Sequence, residues 1–103
     1  MSNSEENFLV KKRHFNIRVY GSVQGVFFRA SARTHADALD ISGLARNESD
    51  GSVYIEAEGE ESNLKQFVEW CGRGPERAVV TKVEVQEAPL KNFPSFEVSR
   101  GIH

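Results

Sequence analysis

A chain of 103 residues with 39% hydrophobic and 27% charged side chains holds one domain around one core, has no room for a second, and lacks the composition of a disordered segment. With 13 Lys and Arg against 15 Asp and Glu the net charge is -2, so no global field draws it to nucleic acid or an acidic membrane, and any anion site has to be local. The single cysteine, Cys71, excludes an intramolecular disulfide and fits a reducing compartment, the cytoplasm.

The opening "MSNSEENFLVKKRH" has no apolar run of signal-peptide or membrane-span length; residues 1 to about 12 read as a mobile tail and residues 13–100 as the domain. In "HFNIRVYG", Phe15, Ile17 and Val19 alternate with Asn16, Arg18 and Tyr20, the period of a strand with one buried face. Phe28, Ala32, Ala36 and Leu39 then recur at helical spacing among good helix formers. "SGLARNESDGSVYIEAEG" reads as two strands around Asp50-Gly51, a dipeptide suited to a tight hairpin, with Val53, Ile55 and Ala57 inward. Leu64, Phe67, Val68 and Cys71 mark a second helix, stopped by Gly72 and Gly74-Pro75; Cys71 there is a small core residue. "AVVTKVEVQEA" alternates Val79, Thr81, Val83 and Val85 inward as a fourth strand. "SFEVSR" offers a short fifth, with Phe96 and Val98 inward.

Strand, helix, strand, strand, helix, strand is the split βαβ order of the α+β, ferredoxin-like fold, a βαββαβ sandwich in which two helices cover one face of an antiparallel sheet. That architecture hosts enzymes, RNA binders and small-molecule sensors, so function rests on a site.

"GSVQGVFFR", residues 21–29, lies where the first strand hands over to the first helix. Backbone N–H groups converge at such a turn, the helix N-terminus adds partial positive charge, and concave runs of N–H groups bind anions. Gly21 and Gly25 allow close backbone approach, and Arg29 offers a planar fork of donors to phosphate oxygens. Alone, this is also how a glycine turn followed by a surface arginine looks; it matches neither GxxxxGK[ST] nor GxGxxG. Asn47, near the end of the second strand, adds an amide that can orient a water without taking its proton, although a strand asparagine commonly serves only solvent or local backbone.

"VYGSVQGVFFR", residues 19–29, and "GLARNESDGSVYIEAEG", residues 43–59, resemble the two signatures of the acylphosphatases, and the similarity extends over nearly all of residues 14–98, including "GRGP". The resemblance implies hydrolysis of acyl phosphates to carboxylate and inorganic phosphate, with no cofactor. In the matching positions Arg29 binds the phosphoryl group, Asn47 orients the attacking water, and the loop Ser22, Val23, Gln24, Gly25, Val26, Phe27 and Phe28 supplies backbone N–H groups. Leu44 departs from the family, which usually has an aromatic residue there, and is expected to alter packing beside the site.

The chemistry suits these groups. Phosphoryl transfer spreads charge over equatorial oxygens, so positioning and electrostatics carry most of the catalysis, and a carboxylate leaves without a strong general acid. His14, His35 and His103 are scattered and offer no clear base; a substrate phosphate oxygen can take the water's proton. No paired Cys or His-x-x-x-His motif calls for metal, and Glu56, Glu58, Glu60 and Glu61 read as solvated charges. A non-catalytic phosphate-binding sensor would need no water-orienting group. An RNA binder would expose stacking aromatics on a basic sheet; Tyr20 and Tyr54 face outward, but the charge is negative. The expected partner is thus a small acyl phosphate, with no nucleic acid or membrane, and the protein acts as a monomer.

Overall fold

The alternation of Phe15, Ile17 and Val19 becomes the inner face of β1 (Lys12–Ser22) in the computed structural model, which describes residues 11–99. The expected tail, apart from Lys11 and Lys12, lies outside the described residues, and so does His103; β1 begins at Lys12, inside that tail. The chain continues through α1 (Phe28–Ala38), β2 (Ser42–Asn47), β3 (Val53–Glu60), α2 (Glu61–Arg73), β4 (Val79–Ala88) and β5 (Phe96–Val98). The sheet runs β4-β1-β3-β2-β5. Its pairings are antiparallel except β2 with β5, which is parallel. This is the expected ferredoxin-like α+β sandwich.

The periodicities of β1, α1, β3 and α2 fold as read. Phe28, Ala32 and Ala36 of α1 and Leu64, Phe67 and Cys71 of α2 are buried against Ile17, Val19, Ala45, Val53, Ile55 and Ala57 of the sheet. Small residues on α1 let it lie close, and each fully buried Leu, Ile or Phe contributes about 1.5–3 kcal/mol. Trp70, one position before Cys71, joins this core with its ring 5.1 Å from Phe28 and 4.4 Å from His35, a stacking pair. The β2–β3 turn uses a positive φ only at Gly51 (93°), while the Asp50 carboxylate accepts from the Ser52 N–H at 2.9 Å and the Ser52 hydroxyl at 2.6 Å.

Two readings are corrected. Val79 and Thr81 do not face a buried interior: Val79 is 60% exposed and Thr81 is exposed as well, while Val85, opposite Ile17 on the inner face, is still 44% exposed on the edge strand. The register between β1 and β4 shifts at Tyr20/Gly21, leaving Thr81 without a partner between Lys82 and Val80. This bulge breaks the period of two, so Val80 and Val83 are the residues that pack on the core. Gly21 permits it, since a Cβ there would stand 2.1 Å from the Val79 carbonyl oxygen at a φ of 127°.

Glu56 and Glu58 are not solvated either; each is 5% exposed. β4 and β5 occupy opposite edges of the sheet, and the connection between them brings residues 91–93 over the outer face. There the N–H groups of Lys91 and Phe93 donate to the Glu58 carboxylate, the latter at 3.0 Å. Lys91 Nζ sits 2.8 Å from Glu56 Oε1. Beneath it His14 is fully buried, its Nδ1 2.8 Å from Glu58 and its ring stacked 6.0 Å from Phe93. Glu60 remains exposed, as expected, whereas Glu61, at the start of α2, is half-buried.

Candidate functional site

β1 and β2 flank β3 and both run antiparallel to it, so they end at the same end of the sheet, and the turn into α1 and the last residue of β2 meet over one pocket. Val23, Gly25, Phe27, Phe28, Arg29, Ala30, Asn47 and Val98 line it, around a volume of about 260 Å³. Arg29 and Asn47, 18 positions apart in the sequence, are thereby brought together with the loop. Asn47 pairs with Val53 in the row containing buried Val19, so it belongs to the helix-covered face.

The loop turns through Gly25 (φ 75°) and Phe27 (φ 63°), two left-handed residues that fold its backbone into a concave run. Phe27 is the N-cap of α1 and provides no side-chain cap, so the first amides of α1 keep their donors for another acceptor. Among the described residues, no backbone carbonyl takes a hydrogen bond from the amides of residues 24–27. An anion can take that place.

Arg29 lies in the first turn of α1. Its Nη1 donates to the Ser99 carbonyl at 2.5 Å, and the Ser99 N–H in turn donates to the Ala45 carbonyl at 2.8 Å. The chain just beyond β5 therefore orients the guanidinium, using one of its five donors. Asn47 Oδ1 is buried and finds no hydrogen-bond partner among the described residues. Orphaned buried oxygens are uncommon and call for an explanation; here the pocket supplies one.

Not every residue of the expected loop lines the pocket. Ser22 closes β1 against Val79, Val26 packs on the core, and Gln24 turns to the β2–β3 hairpin, its Nε2 2.8 Å from the carbonyls of both Glu48 and Ser52. That bracing role of Gln24, and the contributions of Val98 and Ser99, were missed by sequence reasoning. No local pattern announces them: Gln24 acts through the β2–β3 hairpin, and Val98 and Ser99 through the parallel pairing of β5 with β2. Leu44 is also corrected: it pairs with Glu56 on the outer face and does not pack beside the site.

The other candidates lie elsewhere. His14 belongs to the outer-face cluster and His35 stacks on Trp70. Cys71 is 0% exposed, and burial alone pushes its thiol up, far from a reactive thiolate. No group of three or more His, Cys, Asp or Glu that could hold a metal ion occurs among the described residues. Tyr54 is clasped between Arg18 and Arg46, whose guanidinium carbons stand 5.2 and 4.6 Å from its ring centroid, so its faces are not offered to bases. No helix among the described residues is long and apolar enough to cross a membrane.

A ferredoxin-like sandwich with an uncapped helix N-terminus, an arginine and an asparagine around one pocket defines a small α+β protein. Residues 15–98 match the acylphosphatase family model. An acylphosphatase of Marinobacter nauticus is 51% identical over 86 residues, covering 82% of this chain and 94% of that one. Two solved acylphosphatases superpose closely: that of Coxiella burnetii with TM-score 0.83, 35% identity and coverage of 85% and 93% of the two chains, and that of Bacillus subtilis with TM-score 0.82, 36% identity and coverage of 84% and 98%. The chain belongs to the acylphosphatase family and is a hydrolase of that kind.

Proposed function

We propose that the pocket hydrolyses acyl phosphates through Arg29 and Asn47. The phosphoryl group sits at the N-terminus of α1, its oxygens held by loop amides and by donors of Arg29. The Asn47 amide fixes a water for attack on phosphorus. The water oxygen forms the new P–O bond, the bond from phosphorus to the acyl oxygen breaks, and the carboxylate leaves with that electron pair. The water's proton passes to a phosphate oxygen, so no protein base is required. Arg29 and the loop stabilise charge on the equatorial oxygens throughout.

The observation that carries this reading is the buried Asn47 Oδ1, unpartnered in the same pocket as Arg29. A non-catalytic phosphate sensor would make no use of an acceptor in that place. The single cysteine, Cys71, supports a reducing compartment, the cytoplasm, and the net charge of -2 speaks against a nucleic-acid partner.

The test is release of carboxylate and phosphate from benzoyl phosphate, with and without chelator, by the wild type and Asn47→Ala. Turnover that is indifferent to chelator and falls by about 10² in the variant is expected, as for loss of one preorganised polar group. Full activity in Asn47→Ala removes Asn47 from the mechanism. A folded wild type that binds phosphate without turnover makes the pocket a sensor.

A further inference from the structure

Phe27 is locally the wrong residue for its place. Its φ of 63° lies in a region that glycine and asparagine occupy readily and a bulky side chain does not. It also stands at the N-cap of α1, where Ser, Thr, Asp or Asn would bond a free amide and phenylalanine cannot. Nor does the core use its ring: Val23 and Phe28 are 1% exposed, whereas Phe27 is 78% exposed. Backbone, helix and core all leave the aromatic ring unexplained. Violations of local preference concentrate where a ligand makes use of them.

The ring's position supplies the use. Phe27 lines the same pocket as Arg29 and Asn47, with Val98 and Ala30 as further apolar lining. A phosphoryl group against the amides of α1 fills the polar part of this pocket, and the acyl group bonded to it has to extend past the residues at its rim.

We propose that the Phe27 ring is the acyl-binding surface and that the site selects acyl phosphates with an aromatic or bulky apolar acyl group over those of acetyl size. The proposal rests on the reading of Arg29 and Asn47 given above. Because the acyl group stays against the ring in both ground and transition states, the contact lowers KM and leaves kcat alone.

The experiment measures kcat and KM on benzoyl phosphate and acetyl phosphate for the wild type, Phe27→Asn and Phe27→Tyr. Asparagine accepts the left-handed backbone, which favours a folded variant. In Phe27→Asn the ratio of kcat/KM for benzoyl over acetyl phosphate should fall about three- to tenfold, the worth of one aromatic contact, with KM rising more on benzoyl phosphate than on acetyl phosphate. Phe27→Tyr should restore the ratio. Damage to the phosphate cradle would lower both substrates in proportion, so an unchanged ratio in Phe27→Asn overturns the proposal. A Tyr variant as unselective as the Asn variant does so too. A wild type that hydrolyses neither substrate overturns the hydrolytic reading of Arg29 and Asn47, and this proposal with it.

Discussion

The side-chain amide of Gln24 donates to the carbonyl of Glu48 at 2.8 Å, and the same nitrogen reaches the Ser52 carbonyl at 2.8 Å. The loop that leads to Arg29 is thereby fastened to the hairpin that follows Asn47, which ties the two halves of the pocket together. Gln24→Ala removes both bonds and should cost about 1–3 kcal/mol of stability, measurable by urea unfolding. It should also lower turnover ten- to 10²-fold, the scale set by small misplacements of catalytic groups. Gln24→Glu keeps the shape, loses the donors and sets a carboxylate against two carbonyls. It should be at least as impaired; wild-type behaviour of that variant would reduce Gln24 to packing.

Arg29→Lys keeps the charge and loses the planar fork. One donor of Arg29 is committed to Ser99, so a lysine ammonium that serves that carbonyl has two N–H donors left for the phosphoryl oxygens and no planar fork. Inhibition by inorganic phosphate should weaken and turnover should fall together, by about 10² or more. Inhibition at the wild-type phosphate concentration would place Arg29 outside the site.

How much of this was legible in the sequence depended on distance along the chain. The stripes of β1 and α2 were readable because period and burial are set locally. The inward face of β4 was not, because the shift opposite Gly21 and Thr81 belongs to a pair of strands rather than to either one. Glu56 and Glu58 looked solvated since the residues that bury them, Lys91 and Phe93, lie more than 30 positions away. At the site, glycines and arginine at a strand-to-helix turn carry their own chemical signature, and so does an asparagine ending a strand. Gln24 as a brace and Val98 as a wall carry none; they acquire roles only when the hairpin and β5 close around them.

Gly43→Ala should be severe although Gly43 is far from any chemistry. Its φ is 147°, and a Cβ there would meet the Glu56 carbonyl oxygen at 1.8 Å and its carbon at 2.7 Å. Both are backbone atoms of the adjacent strand and cannot swing aside. Relief requires parting β2 from β3, which also moves Asn47, four residues on. A loss of about 3 kcal/mol or more is expected, lowering Tm by more than about 10 °C in a domain of this size. A change of under about 1 kcal/mol would mean that the strands part without penalty.

The outer-face cluster predicts acid sensitivity. Burial pushes the Glu58 carboxyl up, but the Lys91 and Phe93 N–H groups and the His14 ring together outweigh it and leave it below its ordinary value. Burial likewise pushes the Glu56 carboxyl up, but Lys91, Tyr54 and His14 outweigh it and leave it below its ordinary value. With folded values depressed, the unfolded chain takes up protons first as pH falls. The stabilisation from both groups is therefore full above the ordinary glutamate value, about 4.3, and drains away below it as pH passes through the folded values. Urea midpoints at pH 7, 4.5 and 3 check this. The wild type should lose stability steeply across the lower two. Glu58→Gln should be less stable at pH 7, because it leaves a buried carboxylate partner set incomplete, yet should lose less between pH 4.5 and pH 3. Equal acid slopes in the two proteins would show that Glu58 does not control the acid limb, and that the cover formed by residues 91–93 holds without its charge.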